Sequence, residues 1–326
     1  TVNEAIVIDC SQYLNKIVNF DYENMRISVE PGIGLDHLNS YLKPHNLFFP
    51  VDISTASRAT IGGMTANNSC GGRSIRYGIM VDNVHSIDAL LINGEHARFS
   101  DTPSDIRHID GTKHYRQLVS SVREIAEREK SALETYFPKL TRRVGGYNLD
   151  TIDPQGHNMA KLLVGSEGTL ATFKNIELYL QQIPQHKVMG VCHFPTFYAA
   201  MDAAQHLVKL GPVAVELIDR TMIELARNIP IFKSTIDSFV KGEPDAVLLV
   251  EFSGDDLGSL KEKLQELDTM MSDLGYPKAI IEAIDPVFQS KITEVRQQGL
   301  NIMMSMKTSG KPVSFIEDCA VPLENL

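Results

Sequence analysis

The stretch from Pro50 to Gly72 carries the densest set of groups that could bind a ligand. It contains the pair Gly62-Gly63, followed closely by the amides of Asn67 and Asn68. Glycine has no Cβ, so its backbone can come close to a ligand. A short helix beginning near Gly63 would also turn free N–H groups and a positive dipole end toward a phosphate. The residues predict a phosphate-binding or cofactor-binding loop, with a glycine-rich surface turn as the alternative.

The metal-binding residue types show no ligand spacing. None of the ten histidines forms a His-x-His or His-Glu-x-x-His pattern, and the four cysteines are far apart, at Cys10, Cys70, Cys192 and Cys319. Zinc and iron–sulfur sites depend on closely spaced ligands, and disulfide frameworks belong to small secreted domains. We therefore expect no metal site within this chain and reduced, mostly buried thiols.

Charge and hydropathy exclude two classes of partner. The 326 residues carry a formal net charge of −10 without a Lys/Arg cluster, which disfavours a nucleic-acid surface. No apolar run approaches the roughly 18–20 residues that cross a bilayer. No signal peptide is present, and the first residue already lies in a strand-like segment, so the start looks cut. These features predict a cytoplasmic protein without a transmembrane segment.

The elements that would position the loop alternate between strands and helices. We predict strands at residues 2–9, 26–30 and 84–92, and helices at 35–42 and 112–135. Asn93-Gly94 predicts a hairpin turn into a strand at 97–100. Residues 50–82 show little periodicity, and loops that long are usually functional. In the second helix we expect one buried face, formed by Leu118, Val122, Ile125 and Ala126.

Beyond residue 169 the pattern changes to two βαβ units. Strands are predicted at 188–194, 213–218, 246–252 and 279–284, with helices near 197–207, 220–228 and 257–274. This order predicts a ferredoxin-like α+β unit whose antiparallel sheet has helices on one face. We place the boundary between the two parts near residues 182–185, before Pro184.

Several short blocks identify a family when they are taken in order. They are Val29-Glu30-Pro31-Gly32, Phe48-Phe49-Pro50-Val51-Asp52, Thr60-Ile61-Gly62-Gly63-Met64 with Ala66-Asn67-Asn68, Tyr77-Gly78 with Asp82-Asn83-Val84, Gly145-Gly146-Tyr147-Asn148-Leu149, and Val164-Gly165-Ser166-Glu167-Gly168-Thr169-Leu170. The series resembles the FAD-linked oxidases of the p-cresol methylhydroxylase (PCMH)/vanillyl-alcohol oxidase type. The fold class implied is α+β, with a PCMH-type FAD-binding domain at 1–183 followed by a ferredoxin-like α+β substrate (cap) domain at 184–326.

The resemblance also implies which residues hold the cofactor, FAD. In that family the Pro-to-Asn loop surrounds the pyrophosphate and ribityl chain, and the Gly-Ser-Glu-Gly turn lies along the cofactor. The implied residues in this chain are Pro50, Asp52, Ser54, Thr60, Ile61, Gly62, Gly63, Ala66, Asn67, Asn68, Ser69, Tyr77, Gly78, Glu167, Gly168 and Thr172.

A nicotinamide dinucleotide site is disfavoured. Gly32-Ile33-Gly34 begins like a dinucleotide fingerprint, but His37 stands where the third glycine belongs. We expect this stretch to be a strand-to-helix turn.

The tail, Arg296 to Asp318, resembles the D-2-hydroxyacid dehydrogenase branch, and within it the bacterial FAD and iron–sulfur D-2-hydroxyglutarate dehydrogenases. The resemblance implies that Arg296 and Lys311 bind substrate carboxylates. A guanidinium can bind a carboxylate through two parallel hydrogen bonds, which would aim the C2–H of the substrate at the flavin. A solvated helix arginine and a surface loop lysine are the alternatives for these two positions.

The activity implied is oxidation of a D-2-hydroxyacid, of the D-2-hydroxyglutarate or D-lactate type, by hydride transfer to flavin N5. The general base, a divalent metal and iron–sulfur centres are expected beyond Leu326, and the phosphate loop before Thr1. The isolated chain is therefore expected to be inactive, and electrons would pass to an acceptor protein or a quinone. Two alternatives remain, namely an NADPH-dependent enolpyruvyl-sugar-nucleotide reductase on the same fold, and a non-catalytic domain that has lost its cofactor.

Overall fold

The computed structural model describes residues 9–140, 142–299 and 320–326. The chain divides into two compact units, Thr1–Ile183 and Pro184–Leu326. Residues 2–8 of the predicted first strand, and Lys311, lie outside the described residues.

The first unit contains a five-stranded antiparallel sheet. Its strands are β1 (Ile17–Asp21), β2 (Arg26–Val29), β4 (Val84–Leu90), β5 (His96–Phe99) and β8 (Thr172–Tyr179), arranged in the order β1-β2-β8-β4-β5. Two short pairs accompany it, β3 (Leu47–Phe48) with β9 (Gln181–Gln182) and β6 (Asp101–Pro103) with β7 (Gly156–Asn158). The predicted Asn93-Gly94 turn joins β4 to β5, with Gly94 at a φ of +82°.

Helices of very different length pack against these strands. They are α1 (Leu35–Leu42), α2 (Ile61–Asn67), α3 (Ser74–Tyr77), α4 (Met80–Asn83), α5 (Lys113–Arg128), α6 (Lys130–Tyr136) and α7 (Ala160–Leu163). Three of them, α2 to α4, lie within the stretch that lacks periodicity. Four to seven residues are too few to show a 3.6-residue repeat, so the sequence could not reveal them.

The predicted buried face of α5 is partly wrong. The helix buries Tyr115, Val119 and Ala126, whereas Ile125 is 37% exposed. Arg123 is 6% exposed because its guanidinium donates to the carbonyls of Ser104 and Pro103 and to the Thr102 hydroxyl, at 3.0, 2.7 and 3.2 Å. A charged side chain can be buried where acceptors satisfy its donors. Helix α5 therefore buries Arg123, and its buried face differs from the purely apolar one that was predicted.

The second unit is built on a four-stranded antiparallel sheet. Its strands are β10 (His186–Phe194), β11 (Ala214–Asp219), β12 (Ala246–Gly254) and β13 (Ile280–Ala283), in the order β11-β12-β10-β13. The helices are α8 (Phe197–Leu207), α9 (Arg220–Arg227), α10 (Pro230–Phe239), α11 (Leu257–Asp273) and α12 (Pro286–Gln297). The strand order is that of the ferredoxin-like unit predicted from the sequence.

Helices cover both faces of this sheet, so the prediction of helices on one face is wrong. Leu248 and Val250 of β12 pack in the core that α8 and α11 cover. Val247 and Leu249 pack in a second core, which contains residues of α9, α10 and α12. A strand that is buried on both sides reads as a continuous apolar run, as Ala246 to Val250 does.

Candidate functional site

The start of α2 offers few free donors. Thr60 caps the helix, and its Oγ1 accepts a hydrogen bond from the N–H of Gly63 at 3.2 Å. The N–H of Ile61 donates to the carbonyl of Ile33 at 2.9 Å, and that of Gly62 to the carbonyl of Pro31 at 2.7 Å. The expectation of free amide donors for a phosphate at this helix start is therefore wrong. These donors instead hold α2 against the turn before α1.

The two glycines of α2 have different surroundings. A Cβ on Gly62 would lie 2.5 Å from the Cβ of Pro31, so this glycine allows two backbone segments to meet. A Cβ on Gly63 would meet only the hydroxyl of Thr60, at 3.2 Å, and Gly63 is exposed. Of the pair, only Gly63 leaves backbone open to an incoming ligand.

The end of α2 is joined to the turn at residues 165–168. The N–H of Gly165 donates to the carbonyl of Thr65, and that of Glu167 to the carbonyl of Ala66, both at 2.9 Å. The side chain of Asn67 donates to the Glu167 carboxylate at 2.9 Å. Two of the blocks that carry the family resemblance thus form one structural unit.

Two buried polar atoms beside this junction lack a hydrogen-bond partner among the described residues. Asn68 is 0% exposed; its Oδ1 accepts from the N–H of Val81 at 3.0 Å, but its Nδ2 has no partner. Ser166 is 1% exposed, and its Oγ also has none. Buried polar groups are nearly always satisfied, so orphaned donors indicate a missing partner. Both groups fit a polar ligand bound at this junction.

A third block supports the turn from the other side. Asn148 is buried, and its Nδ2 donates to the carbonyls of Lys161 and Val164 at 3.1 and 2.8 Å. The hydroxyls of Tyr147 and Thr169 lie 2.8 Å apart. The amide of Asn148 therefore holds the chain immediately before the turn in place.

Other predicted cofactor residues lie in the segments before and after α2. Oδ1 of Asp52 accepts from the N–H of Arg73 at 3.1 Å, and a Cβ on Gly71 would lie 1.4 Å from the carbonyl oxygen of Asp52. The ring of Tyr77 meets that of Phe48 edge-on at 5.6 Å. Ser69 Oγ donates to Asn67 Oδ1 at 3.3 Å.

The remaining predicted residues differ in exposure. Pro50 and Ile61 are buried in the core, and Gly78 has a φ of +74° at the end of α3. Ser54 is exposed in the turn before α2, and Thr172 is exposed at the start of β8. The described contacts bring together Ala66, Asn67, Asn68, Ser69, Glu167 and Gly168, but do not link Pro50, Ser54 or Thr172 to that group.

A cleft of about 790 Å³ lies beside this group in the first unit. Helices α5 and α6 and residues 137–140 and 148–154 line it, and none of the predicted cofactor residues does. Arg143 at its edge lies over the ring of Phe137 at 4.8 Å and pairs with Asp150 at 2.5 Å. Sequence reasoning identified neither this pair nor the cleft, because residues 137–154 show no regular pattern.

In the second unit, Arg296 lies in the last turn of α12 and is paired. Its Nη2 lies 2.5 Å from Oε1 of Glu216 on β11. Lys311, the second predicted carboxylate ligand, falls outside the described residues. Glu216 could not be predicted from the sequence, because a single glutamate in a strand has no pattern that marks it.

Residues 9–140, 142–299 and 320–326 contain no group of three or more His, Cys, Asp or Glu arranged to hold a metal ion. Within the same residues no helix is both long and apolar enough to span a membrane.

Comparison with known families assigns both parts of the chain. Residues 1–100 match the family described as FAD binding domain. Residues 183–326 match the family described as FAD linked oxidases, C-terminal domain. The predictions of the family and of FAD as the cofactor are confirmed by these two matches.

Curated relatives are similar along the whole chain. The D-2-hydroxyglutarate dehydrogenase of Pantoea ananatis is 30% identical over 348 residues, covering 100% of this chain and 33% of that protein. The D-lactate dehydrogenase [cytochrome], mitochondrial, of Arabidopsis thaliana is 29% identical over 324 residues, with 99% and 46% covered. The chain spans about a third of the length of the D-2-hydroxyglutarate dehydrogenases that it matches.

A solved structure of alkyldihydroxyacetonephosphate synthase has the same fold. It superposes with a TM-score of 0.63 at 17% sequence identity, covering 93% of this chain and 48% of that one. At this identity the likeness concerns the fold alone. The two family matches show that residues 1–100 belong to the FAD binding domain family and residues 183–326 to the C-terminal domain family of the FAD linked oxidases.

Proposed function

We propose that this chain forms the flavin-binding and substrate-binding part of an FAD-dependent oxidoreductase that oxidises a D-2-hydroxyacid to the 2-oxoacid. The observation that carries the proposal is the junction of α2 with the turn at 165–168, where two buried polar atoms, Asn68 Nδ2 and Ser166 Oγ, have no hydrogen-bond partner among the described residues. The names of the relatives, D-2-hydroxyglutarate and D-lactate dehydrogenases, support the substrate class.

The first unit, 1–183, is proposed as the flavin domain. Asn68 Nδ2 and Ser166 Oγ would donate to the cofactor, because each is buried and lacks a partner in the described residues. Gly63 and Gly168 would let it approach the backbone, since a Cβ on Gly168 would meet nothing within 4 Å. The remaining predicted residues, including Pro50, Asp52, Ser54, Thr60, Tyr77, Gly78 and Thr172, would shape the loop around it. When bound, FAD supplies the acceptor for the hydride.

The second unit, 184–326, is proposed as the substrate domain. Arg296 would bind the substrate carboxylate, and Lys311 would supply a second cation. Arginine and lysine side chains both donate hydrogen bonds, and the planar guanidinium suits a carboxylate. These contacts would hold the acid equally in the ground state and in the transition state, so they would contribute to its affinity. A dicarboxylate such as 2-hydroxyglutarate would use both cations, whereas lactate would need one.

The reaction also needs a base and an electron acceptor. A general base must take the proton of the substrate hydroxyl as hydride leaves C2. From the resemblance we propose that this base, with the divalent metal and the iron–sulfur centres, follows a segment like residues 320–326. We propose that electrons then pass to a separate protein or to a quinone.

An absorbance spectrum of the full-length protein tests the proposal. We expect a flavin band near ~450 nm that bleaches when D-2-hydroxyglutarate or D-lactate is added without oxygen. L-2-Hydroxyglutarate is the matched control, because it has the same charge and the opposite configuration at C2. A band that persists with both D-acids would contradict the substrate class, and a colourless protein would contradict flavin binding.

A further inference from the structure

Glu216 occupies a fixed place on the sheet of the second unit. It lies opposite Leu249 in the antiparallel pair of β11 and β12. Leu249 packs in the core that contains residues of α9, α10 and α12. Residues directly opposite each other in a sheet point to the same face, so Glu216 points toward these helices. Its side chain is 22% exposed, and the strand register sets its position.

Helix α12, which carries Arg296, is fastened at its first turn. Asp285 caps it, accepting a hydrogen bond from the N–H of Phe288 at 2.7 Å. Gln289 is 2% exposed, and its amide nitrogen lies 2.8, 2.9 and 3.0 Å from the carbonyls of Lys187, Ala283 and Ile284. These contacts fix the axis of α12 but leave the long side chain in its last turn unconstrained.

The ion pair supplies that constraint. Nη2 of Arg296 meets Oε1 of Glu216 at 2.5 Å, and the arginine side chain is 35% exposed. A guanidinium has five N–H donors in a rigid plane, and one carboxylate oxygen engages only part of them. Because an arginine side chain has many rotamers, a fixed carboxylate at one edge of the guanidinium orients the other edge.

A second ion pair lies on the same face of the sheet as Glu216. Glu251 lies opposite Ala214, two positions from the row of Glu216, so the two carboxylates are diagonal neighbours. Lys187 Nζ lies 3.2 Å from Oε2 of Glu251, whose side chain is 9% exposed. Each carboxylate therefore has a cation beside it, Arg296 in the case of Glu216 and Lys187 in the case of Glu251.

We propose that Glu216 is a positioning residue that holds one edge of the Arg296 guanidinium so that the other edge can bind the substrate carboxylate. This inference rests on the proposed function, in which Arg296 binds a 2-hydroxyacid. Glu216 would not touch the reacting atoms and would act through Arg296.

The test is a double-mutant cycle in the full-length enzyme, with D-2-hydroxyglutarate and D-lactate as substrates. E216A should raise the KM about tenfold and leave kcat within about twofold, because an oriented contact is lost equally in the ground state and the transition state. E216Q should stay within about threefold of the wild type, since the amide oxygen still accepts from Nη2. In the R296A background, E216A should raise the KM no further.

D237A is the matched control. Arg227 and Asp237 form another ion pair of the second unit, at 3.2 Å, with side chains 29% and 48% exposed. Loss of this ion pair should leave the KM unchanged. A KM increase from E216A in the R296A background, an equal increase from D237A, or no increase from E216A where R296A has one, would each overturn the positioning role. If R296A itself leaves the KM for both acids unchanged, the proposed substrate role of Arg296 fails instead. Should E216A not fold, E216D must raise the KM, because it withdraws the carboxylate by one methylene.

Discussion

The N–H of Glu167 donates to the carbonyl of Ala66 at 2.9 Å, which links the end of α2 to a turn 101 positions later. Glu167 adopts a φ of +51°, between Gly165 at +81° and Gly168 at +75°. Such left-handed conformations are costly for a residue with a side chain. The turn therefore has a strained shape that presents Ser166 and Glu167 to the same junction, as expected of a ligand-binding turn.

Replacing Ser166 with alanine should separate flavin binding from folding. The Ser166 hydroxyl is buried without a partner in the described part of the chain, so its removal should not lower the thermal midpoint of the flavin-free protein. We expect the Kd for FAD to rise roughly tenfold, the value of one lost hydrogen bond. Flavin content and calorimetric titration of the full-length protein measure it.

Ser86 gives the control for this variant. It is also 1% exposed, but its hydroxyl donates to Glu177 at 2.8 Å. Ser86→Ala should lower the thermal midpoint and leave the Kd for FAD unchanged. If Ser166→Ala behaves like Ser86→Ala, then the orphaned hydroxyl does not face the cofactor.

Replacing each of the two glycines of α2 with alanine should affect a different property, stability at Gly62 and flavin binding at Gly63. Gly62→Ala should cost about 1–3 kcal/mol of stability, because its Cβ would lie 2.8 Å from the carbonyl oxygen of Pro31 and closer still to its Cβ. Gly63→Ala should leave the fold intact and weaken flavin binding, since Gly63 is exposed and its Cβ would meet only the Thr60 hydroxyl, at 3.2 Å. Denaturant unfolding and flavin content distinguish the two, and loss of stability in both variants would refute the contrast.

The Glu177 carboxylate should make the stability of the first unit dependent on acid pH. Burial acts to raise its pKa, but the Ser86 hydroxyl, His85 and the Arg98 guanidinium together hold the pKa below the usual 4.5. A lowered folded-state pKa stabilises the fold above the unfolded-state pKa, and this contribution is lost as pH falls through the folded-state value. Unfolding measured between about pH 6 and pH 3 should show the loss.

Glu177→Gln should remove this pH dependence along with about 1–3 kcal/mol at neutral pH, because Arg98 and Ser86 lose their charged acceptor. The variant and the wild type should then converge in stability toward pH 3. Parallel curves over the whole range would show that other carboxylates determine the acid transition.

Gln289→Leu should destabilise the second unit by about 2–4 kcal/mol, since it leaves the buried carbonyl of Ala283 and its neighbours without their donor. Gln297→Leu, on the exposed side of the same helix, is the control and should change little. Thermal unfolding of both variants measures the difference. Equal stabilities would mean that the amide of Gln289 does not fasten α12.

Elements with regular patterns could be predicted from the sequence. The structure contains β12 at the predicted apolar run and α11 at the predicted helical repeat of leucines. It also has the hairpin that the Asn93-Gly94 dipeptide predicts. Strand β8 was missed, although it is the middle strand of its sheet. The adjacent polar residues Lys174 and Asn175 interrupt its apolar alternation, so the segment resembles a polar connection. A central position is decided by pairing with β2 and β4, which local sequence does not encode.

The candidate site, too, could be predicted only in part. The glycine and asparagine types in the loop indicated a ligand, but the sequence could not show that the N–H groups of Ile61 and Gly62 are engaged by Ile33 and Pro31. It also could not show that Arg296 meets a glutamate 80 positions earlier. Such facts depend on tertiary contacts between distant segments, which only the folded chain determines.

The place of β8 between β2 and β4 has a consequence for biosynthesis. The chain completes the other four strands of this sheet first, but the sheet has a gap until residues 172–179 leave the ribosome. Closing it joins strands separated by over 140 residues, and contacts of such long range slow folding. The nascent first unit must therefore expose the facing edges of β2 and β4 for much of its translation, which makes it a natural client for chaperones that shield unpaired strands.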